Sequence, residues 1–145
     1  MIEIWGDGSS TGRPDREWGW GFVIAIDGDP IVCDFGGGPC GTNNVAEMEA
    51  LVQGITRYAR MLPDHPEWPL GCVLVSDSMY ALNQASGRQQ AYKNVEQAGR
   101  LKALYDRYCT AVRHVRGHRG EHLNERCDVL SKRGKDLYTK KNPTK

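Results

Sequence analysis

The chain has 145 residues, of which 39% are hydrophobic and 26% are charged, and its formal net charge is +1. This balance is typical of a single globular domain. No apolar run approaches the ~20 residues of a membrane-spanning helix, and the N-terminus lacks the basic and apolar regions of a signal peptide. We therefore expect a soluble cytoplasmic protein.

The cysteines and the charge distribution bear on possible cofactors and partners. The 5 cysteines include no C-x-x-C pair, so the sequence supports neither a zinc motif nor a redox motif. Residues 1–87 hold 4 Lys/Arg and 12 Asp/Glu, a net charge of −8, whereas residues 88–145 hold 15 and 6, a net charge of +9. This asymmetry suits an acidic centre that holds a polyanion through divalent metal, but a solvated basic helix and tail would explain it equally well.

The N-terminal part of the chain predicts three strands. Residues 2–5 alternate in polarity and predict the first strand, and the breakers in residues 6–12 predict a turn or loop. Residues 18–26 predict the second strand, whose two glycines would allow a bulge or the close approach of another backbone. After the hairpin signal D-G-D-P at residues 27–30, residues 31–35 predict the third strand.

From residue 44 onwards, helices and strands alternate. Apolar residues at three- and four-residue steps predict a helix over residues 44–62. The elements predicted after it are a strand at 73–75, helices at 78–85 and 94–109, a strand at 110–115 and a helix at 124–137. The order βββαβααβα indicates an α/β fold, a five-stranded mixed sheet with helices on both faces. We expect one domain over residues 1–137 and a basic, disordered tail at 138–145.

Four carboxylates have ordinary structural explanations when each is taken alone. Asp7 would be a turn residue, and Glu47 would belong to an N-x-x-E capping box. Asp77 would cap the helix that follows it. Asp128 would lie in the first turn of the last helix, behind Asn124 as N-cap.

The combination of these carboxylates is harder to explain by local structure. If the first and fourth strands are neighbours, Asp7 and Asp77 end side by side. Carboxylates that share one site repel each other unless cations neutralise them. Oxygen ligands of this kind suit Mg²⁺ or Mn²⁺.

Four blocks of sequence carry a resemblance to a known family. They are DGSSTG at 7–12, TNNVAEMEAL at 42–51, SDSMYAL at 76–82 and VRGHRGEHLNERCDVLS at 115–131. In order and approximate spacing they resemble the motifs of type 1 ribonuclease H, and G-H-x-G followed by N-E-R-C-D is the most specific of them. The resemblance covers residues 2–131.

The resemblance implies a ribonuclease H-like fold and an activity. The implied enzyme is an endonuclease that hydrolyses the RNA strand of RNA/DNA hybrids with two Mg²⁺ ions, leaving 5′-phosphate and 3′-hydroxyl ends, with Mn²⁺ as a possible substitute. Asp7, Glu47, Asp77 and Asp128 would be the catalytic metal ligands, and the loop residue His118 would assist proton transfer or product release. The implied partner is an RNA/DNA hybrid, bound by a monomer.

The same resemblance implies substrate contacts. Asn43 and Asn44 match paired asparagines that contact the minor groove of the hybrid, where amides can both donate and accept hydrogen bonds. Thr42 would lie where a phosphate of the DNA strand is bound. Gly8 and Ser9 would let the backbone approach the substrate.

The chain departs from the family pattern mainly between the two helices after the "DS" motif. Many members insert a basic, Trp-rich protrusion there, whereas Arg88 and Lys93 are the cations of this chain in that segment. Met79 replaces a residue that is often polar, while Arg13 and Arg16 make the first loop more charged than usual. A cationic C-terminal segment either compensates for the missing protrusion or only aids solubility; its members are Lys132, Arg133, Lys135, Lys140 and Lys141.

Three other functions remain open at this point. The domain could be a catalytically weak module that binds hybrids or other nucleic acid. It could be a related DNA nuclease, such as a resolvase or integrase core. It could also be an α/β domain whose acids are all helix caps.

Overall fold

The computed structural model describes residues 1–11, 16–117 and 121–142. The N-terminal elements are β1 (Ile2–Ser10), β2 (Trp18–Ile26), β3 (Asp29–Gly38) and α1 (Asn43–Met61), which ends in a 3₁₀ turn (Leu62–Asp64). The remaining elements are β4 (Cys72–Ser76), α2 (Met79–Ser86), α3 (Val95–Tyr108), β5 (Cys109–His114) and α4 (His122–Lys141). None of these helices is long and apolar enough to cross a membrane.

The strands form one five-stranded mixed sheet in the order β3-β2-β1-β4-β5. The hairpins β1–β2 and β2–β3 are antiparallel, whereas β1–β4 and β4–β5 are parallel. The predicted α/β fold and element order are therefore confirmed. The first and fourth strands are neighbours, which is the condition on which the convergence of Asp7 and Asp77 depends.

Side chains alternate between the two faces of the sheet, and each face has its own core. Ile4 and Leu74 belong to the larger apolar cluster, which α1, α2 and α3 cover. Trp5 and Val75 belong to a smaller cluster on the opposite face, with Cys127 of α4. Because side chains alternate along a strand, Asp7 lies on the α4 face of the sheet.

Two strands, β1 and β3, extend well beyond their predicted ends. The predicted turn at residues 6–12 is wrong for its first part, because β1 continues to Ser10 and pairs Asp7 with Gly21 of β2. Similarly, β3 extends past the predicted end at residue 35 to Gly38, which pairs with Trp18. Both extensions contain glycines that look like breakers in sequence but are held in strand conformation by their neighbours.

The helix starts also differ from the predictions. Thr42 is the N-cap of α1, so the predicted capping box between Asn44 and Glu47 is wrong. Ser78 caps α2 by accepting a hydrogen bond from the backbone N–H of Ala81 at 3.1 Å, so Asp77 is not the cap. Helix capping therefore does not account for the carboxylate of Glu47 or that of Asp77.

The last helix is longer than predicted at both ends. It begins at His122 with Glu121 as N-cap, so the prediction of Asn124 as N-cap is wrong. It ends at Lys141, so residues 138–141 are helical and are not part of a disordered tail. Residues 143–145 lie outside the described part of the chain.

Glycines allow α4 to lie directly on the sheet. A Cβ atom at Gly19 of β2 would lie 2.0 Å from the carbonyl oxygen of Ser131, and one at Gly134 would lie 2.1 Å from the carbonyl oxygen of Gly36. Any larger side chain at these positions would push the helix away. The sequence predicted that the two glycines of the second strand, Gly19 and Gly21, would allow another backbone to approach closely, and α4 does so. This contact sets how deeply α4 lies beside Asp7.

Candidate active site

The parallel pairing of β1 with β4 brings two carboxylates together. Trp5 is opposite Val75, and Asp7 and Asp77 each come two residues later. Asp7 is only 5% exposed, and its Oδ1 accepts a hydrogen bond of 2.9 Å from the backbone N–H of Gly8. The predicted convergence of these two side chains is therefore observed, although Asp7 lies within its strand and not beyond the strand end.

Glu47 joins these carboxylates from the helical layer. It lies beyond the first turn of α1, which holds no acidic residue. The helix can pass this close because a Cβ atom at Gly8 would lie 2.4 Å from the backbone nitrogen of Glu47. Asp7, Glu47 and Asp77 each offer one oxygen, and these oxygens all lie within 4.8 Å of one another. We call these three residues the acidic triad.

The acidic triad is electrostatically unbalanced. Burial, followed by the charge of Asp77, raises the pKa of Asp7 from 3.8 to about 7. Burial, followed by the charge of Asp7, raises the pKa of Glu47 well above its usual value. Glu47 Oε2 is also buried without a hydrogen-bond partner among the described residues. A buried acceptor with no donor, among crowded carboxylates, fits a divalent cation with oxygen ligands.

Asp128 is close to the acidic triad but lies outside it. The side chain is 27% exposed, and its Oδ2 accepts a hydrogen bond of 3.0 Å from Lys132 Nζ, one helical turn away. Its charge still contributes to the raised pKa of Asp7. The prediction that Asp128 lies in the first turn is wrong, because α4 begins at His122.

Asn124 is a residue of the site that the sequence prediction missed. It is 3% exposed, and its Nδ2 donates to Asp77 Oδ2 at 3.4 Å. The spacing from Asn124 to Asp128 is four residues, which places both side chains on one face of a helix, and this signal was available in the sequence. The backbone of Asp77 also has a contact: His114 Nε2, at the end of β5, lies 3.1 Å from its carbonyl oxygen.

The predicted loop histidine, His118, lies outside the described residues, and so does Arg13. Gly117, the last described residue before that histidine, approaches the acidic triad. A Cβ atom at Gly117 would lie 2.8 Å from Asp77 Oδ2. Arg16 is exposed, and its carbonyl oxygen accepts a hydrogen bond from the backbone N–H of Gly41.

The predicted substrate-binding residues lie at the start of α1 and at the end of β1. Asn43 and Asn44 are exposed in the first turn of α1, and Asn43 Oδ1 accepts a hydrogen bond of 2.8 Å from Ser10 Oγ. Gly8 and Ser9 are partly exposed on β1.

A cleft of about 920 Å³ opens beside these asparagines. Thr42 and Asn44 contribute to one side of it, and the connection between α2 and α3 contributes Tyr92 and Lys93. Tyr92 is 90% exposed. That connection spans residues 87–94 without a helix or strand, in agreement with the predicted absence of a protrusion.

Comparison with known proteins assigns the family. The sequence model of the RNase H family matches residues 1–136. The chain is similar to the ribonuclease H of Herminiimonas arsenicoxydans, at 32% identity over 92% of this chain and 93% of that protein. It is also similar to that of Thermosynechococcus vestitus, at 33% identity over 90% of this chain and 86% of that protein.

Solved structures agree with the fold. RNase H1 from the halophilic archaeon Halobacterium salinarum superposes with a TM-score of 0.75 at 23% identity, covering 94% of this chain and 98% of that one. LC11-RNase H1, solved in complex with an RNA/DNA hybrid, superposes with a TM-score of 0.78 at 21% identity, covering 95% and 99%. With the fold, the acidic triad and the sequence match in agreement, the chain belongs to the ribonuclease H family of nucleases.

Proposed function

We propose that this protein hydrolyses the RNA strand of RNA/DNA hybrids and leaves 5′-phosphate and 3′-hydroxyl ends. The observation that carries the proposal is the acidic triad, whose oxygens lie within 4.8 Å of one another and include a buried acceptor without a donor in the described structure. A site of this kind costs folding free energy unless a cation occupies it. Family membership and the similarity to LC11-RNase H1, itself solved with a hybrid, support the choice of substrate.

Asp7, Glu47 and Asp77 would hold Mg²⁺, with Mn²⁺ as a substitute, and Asp128 would complete a site for two ions. When bound, two such ions supply Lewis-acid activation of the attacking water and stabilisation of the leaving oxygen. Asp128 would need to exchange its hydrogen bond with Lys132 for a metal contact. His118 would assist proton transfer or product release, a role that rests on its motif alone.

The start of α1 would bind the substrate. Asn43 and Asn44 expose amides that can pair with base edges and 2′-hydroxyls in the wide minor groove of the hybrid. Thr42, in the adjacent cleft, would take a phosphate of the DNA strand. Gly8 and Ser9 would admit the RNA backbone close to the acidic triad.

The cationic surface available for binding is small near the cleft. Lys93 lines the cleft, and Arg88 is exposed just after α2. Since affinity for nucleic acid depends on the number of phosphate contacts, we expect weak, strongly salt-dependent binding by this chain. The exposed cations of the last turns of α4, such as Lys140 and Lys141, would supplement it.

The proposal needs one copy of the chain, and a cytoplasmic location would suit it. All four candidate metal ligands belong to a single chain. The five cysteines are free thiols, the state that the cytoplasm maintains.

A substrate panel tests the proposal. Labelled RNA/DNA hybrid, single-stranded RNA, duplex RNA and duplex DNA are each offered with Mg²⁺ to the wild type and to Asp77→Asn. Asp106→Asn is the matched control, because Asp106 is an exposed acid on α3 that pairs with Lys102. We expect cleavage of the hybrid alone, lost in Asp77→Asn and kept in Asp106→Asn. Binding without cleavage would indicate a binding module, and cleavage of duplex DNA would indicate a DNA nuclease.

A further inference from the structure

Asn124 makes an unusual set of contacts for an amide on a helix. It is 3% exposed, and its Nδ2 lies 3.4 Å from Asp77 Oδ2. Its Oδ1 is buried and has no donor among the described residues. A buried polar atom without a partner is costly, so an amide in this position needs a reason beyond packing.

The contact with Asp77 restrains a carboxylate that has no other hydrogen bond from the described residues. Asp77 follows the last residue of β4, and Ser78, not Asp77, caps α2. The carboxylate therefore gains no orientation from helix capping. A donor on Oδ2 limits rotation about the terminal side-chain bond, and a neutral amide does so without adding charge to a crowded acidic site.

The two ends of the Asn124 amide thus have complementary uses. Nδ2 holds a carboxylate of the acidic triad, while Oδ1 is left as an acceptor beside it. Mg²⁺ sites in proteins usually retain several water molecules, and the groups that hydrogen-bond to ligands and waters tune the affinity of the ion. An aliphatic residue at position 124 could fill the space but could do neither.

On the premise of the function proposed above, we infer that Asn124 is a positioning residue of the metal site. It fixes the carboxylate of Asp77 for the ion, and its buried Oδ1 gains a hydrogen-bond partner only when the hydrated ion is bound. It touches no reacting atom. Its loss should therefore weaken the uptake of Mg²⁺ more than it lowers the rate at saturating Mg²⁺.

The test compares two variants of Asn124 with a control on the same helix. Asn124→Ala removes the amide, and Asn124→Leu replaces it with an apolar side chain that fills the space, in case the smaller residue destabilises α4. Ser131→Ala is the control, because Ser131 is fully buried on α4 but donates to the backbone oxygen of Asp128 and not to the acidic triad. Calorimetric titration with Mg²⁺ and the rise of Tm on adding Mg²⁺ are measured for each folded protein.

We expect both Asn124 variants to bind Mg²⁺ about 10- to 100-fold more weakly than the wild type, and Ser131→Ala to bind it like the wild type. The half-maximal Mg²⁺ concentration for hybrid cleavage should rise in parallel, while kcat at saturating Mg²⁺ changes less. Wild-type affinity in a folded Asn124 variant would overturn the inference and leave the proposed function standing. Failure of the wild type itself to take up Mg²⁺ would overturn both.

Discussion

The acidic triad and Asp128 are neighbouring acidic groups that the protein treats differently. The triad is crowded and includes a buried oxygen without a donor among the described residues. Burial and mutual repulsion raise the pKa values of two of its members, Asp7 and Glu47. Asp128 is partly exposed and already has a cation, Lys132, at 3.0 Å. Asp128 thus has a lysine to balance its charge, whereas the described residues provide no ion pair for the three acids of the triad.

The sequence motifs present all four acids as equal metal ligands, but the structure predicts different contributions from the acidic triad and from Asp128. The acidic triad stores unfavourable free energy that a bound cation would release, so it should dominate both activity and stability. Asp128 can leave its partner at small cost, since exposed ion pairs contribute little to stability. Its effects should be smaller and should depend on the Mg²⁺ concentration.

The largest expected effect is the loss of activity when the acidic triad is broken. Glu47→Gln keeps the size of the side chain but removes a charged ligand, and we expect hybrid cleavage to fall by roughly 1,000-fold or more, since metal stabilisation is worth several kcal/mol. Initial rates at saturating Mg²⁺ measure the effect. Glu96→Gln, an exposed acid in the first turn of α3, is the control and should cleave normally. A Glu47→Gln enzyme with activity within about tenfold of the wild type would show that the acidic triad does not dominate activity.

The same crowding predicts an opposite effect on stability. Asp7→Asn removes a buried charge while its Oδ1 can still accept from Gly8. We expect the free energy of unfolding of the metal-free protein at pH 8 to rise by about 2 kcal/mol, whereas Asp128→Asn should change it by less than ~0.5 kcal/mol. Urea unfolding in the presence of a chelator measures both values. Equal stabilisation by Asp7→Asn and Asp128→Asn would show that the acidic triad carries no greater repulsion than Asp128.

The stability of the metal-free protein should also depend on pH. The pKa of Asp7 rises from 3.8 to about 7 on folding, so between these values the folded protein binds more protons than the unfolded chain. Stability from this group is therefore fully present below about pH 4 and is lost as the pH rises through about 7. The advantage of Asp7→Asn over the wild type should grow by about 1 kcal/mol or more between pH 5 and pH 8. A stability difference between Asp7→Asn and the wild type that shrinks from pH 5 to pH 8 would contradict a raised pKa of Asp7.

The smallest expected effect concerns the cation of Asp128. Lys132→Met frees Asp128 to bind metal, and we expect the half-maximal Mg²⁺ concentration for cleavage to fall by about two- to fivefold, the range that exposed ion pairs imply. Lys102→Met, which breaks a similar ion pair with Asp106 one helical turn away on α3, is the control for general charge effects. A higher Mg²⁺ requirement in Lys132→Met, but not in the control, would mean that Lys132 assists the site and does not compete with metal.

Regular periodicity made most of the fold predictable. The apolar runs around Val23 and Leu74 predicted β2 and β4, and the helical spacing of residues 44–62 predicted α1. Similar patterns elsewhere in the chain predicted the other elements in their correct order. The errors fall where distant contacts decide the local structure. The glycines of residues 6–10 look like a turn, yet pairing with β2 holds them in a strand.

The candidate site was predictable in composition but not in detail. The motifs identified the members of the acidic triad and Asp128, and the parallel neighbours β1 and β4 followed from the fold. The four-residue spacing of Asn124 and Asp128 could have placed Asn124 near the site, but its contact with Asp77 was not predictable, because that contact depends on how deeply α4 lies on the sheet. Gly19 and Gly134 set that depth through contacts between elements distant in sequence.

Calorimetric titration of the metal-free wild type with Mg²⁺ near pH 7 shows whether the acidic triad is a cation site. If the acidic triad is held unbalanced for a cation, binding should be saturable and should release protons into the buffer. Asp7, whose pKa is raised to about 7, is partly protonated before the ion binds, and the raised pKa of Glu47 acts in the same direction. Asp7→Asn should bind more weakly and release fewer protons. A wild-type protein that shows neither saturable binding nor proton release, with Mg²⁺ or with Mn²⁺, would contradict the account.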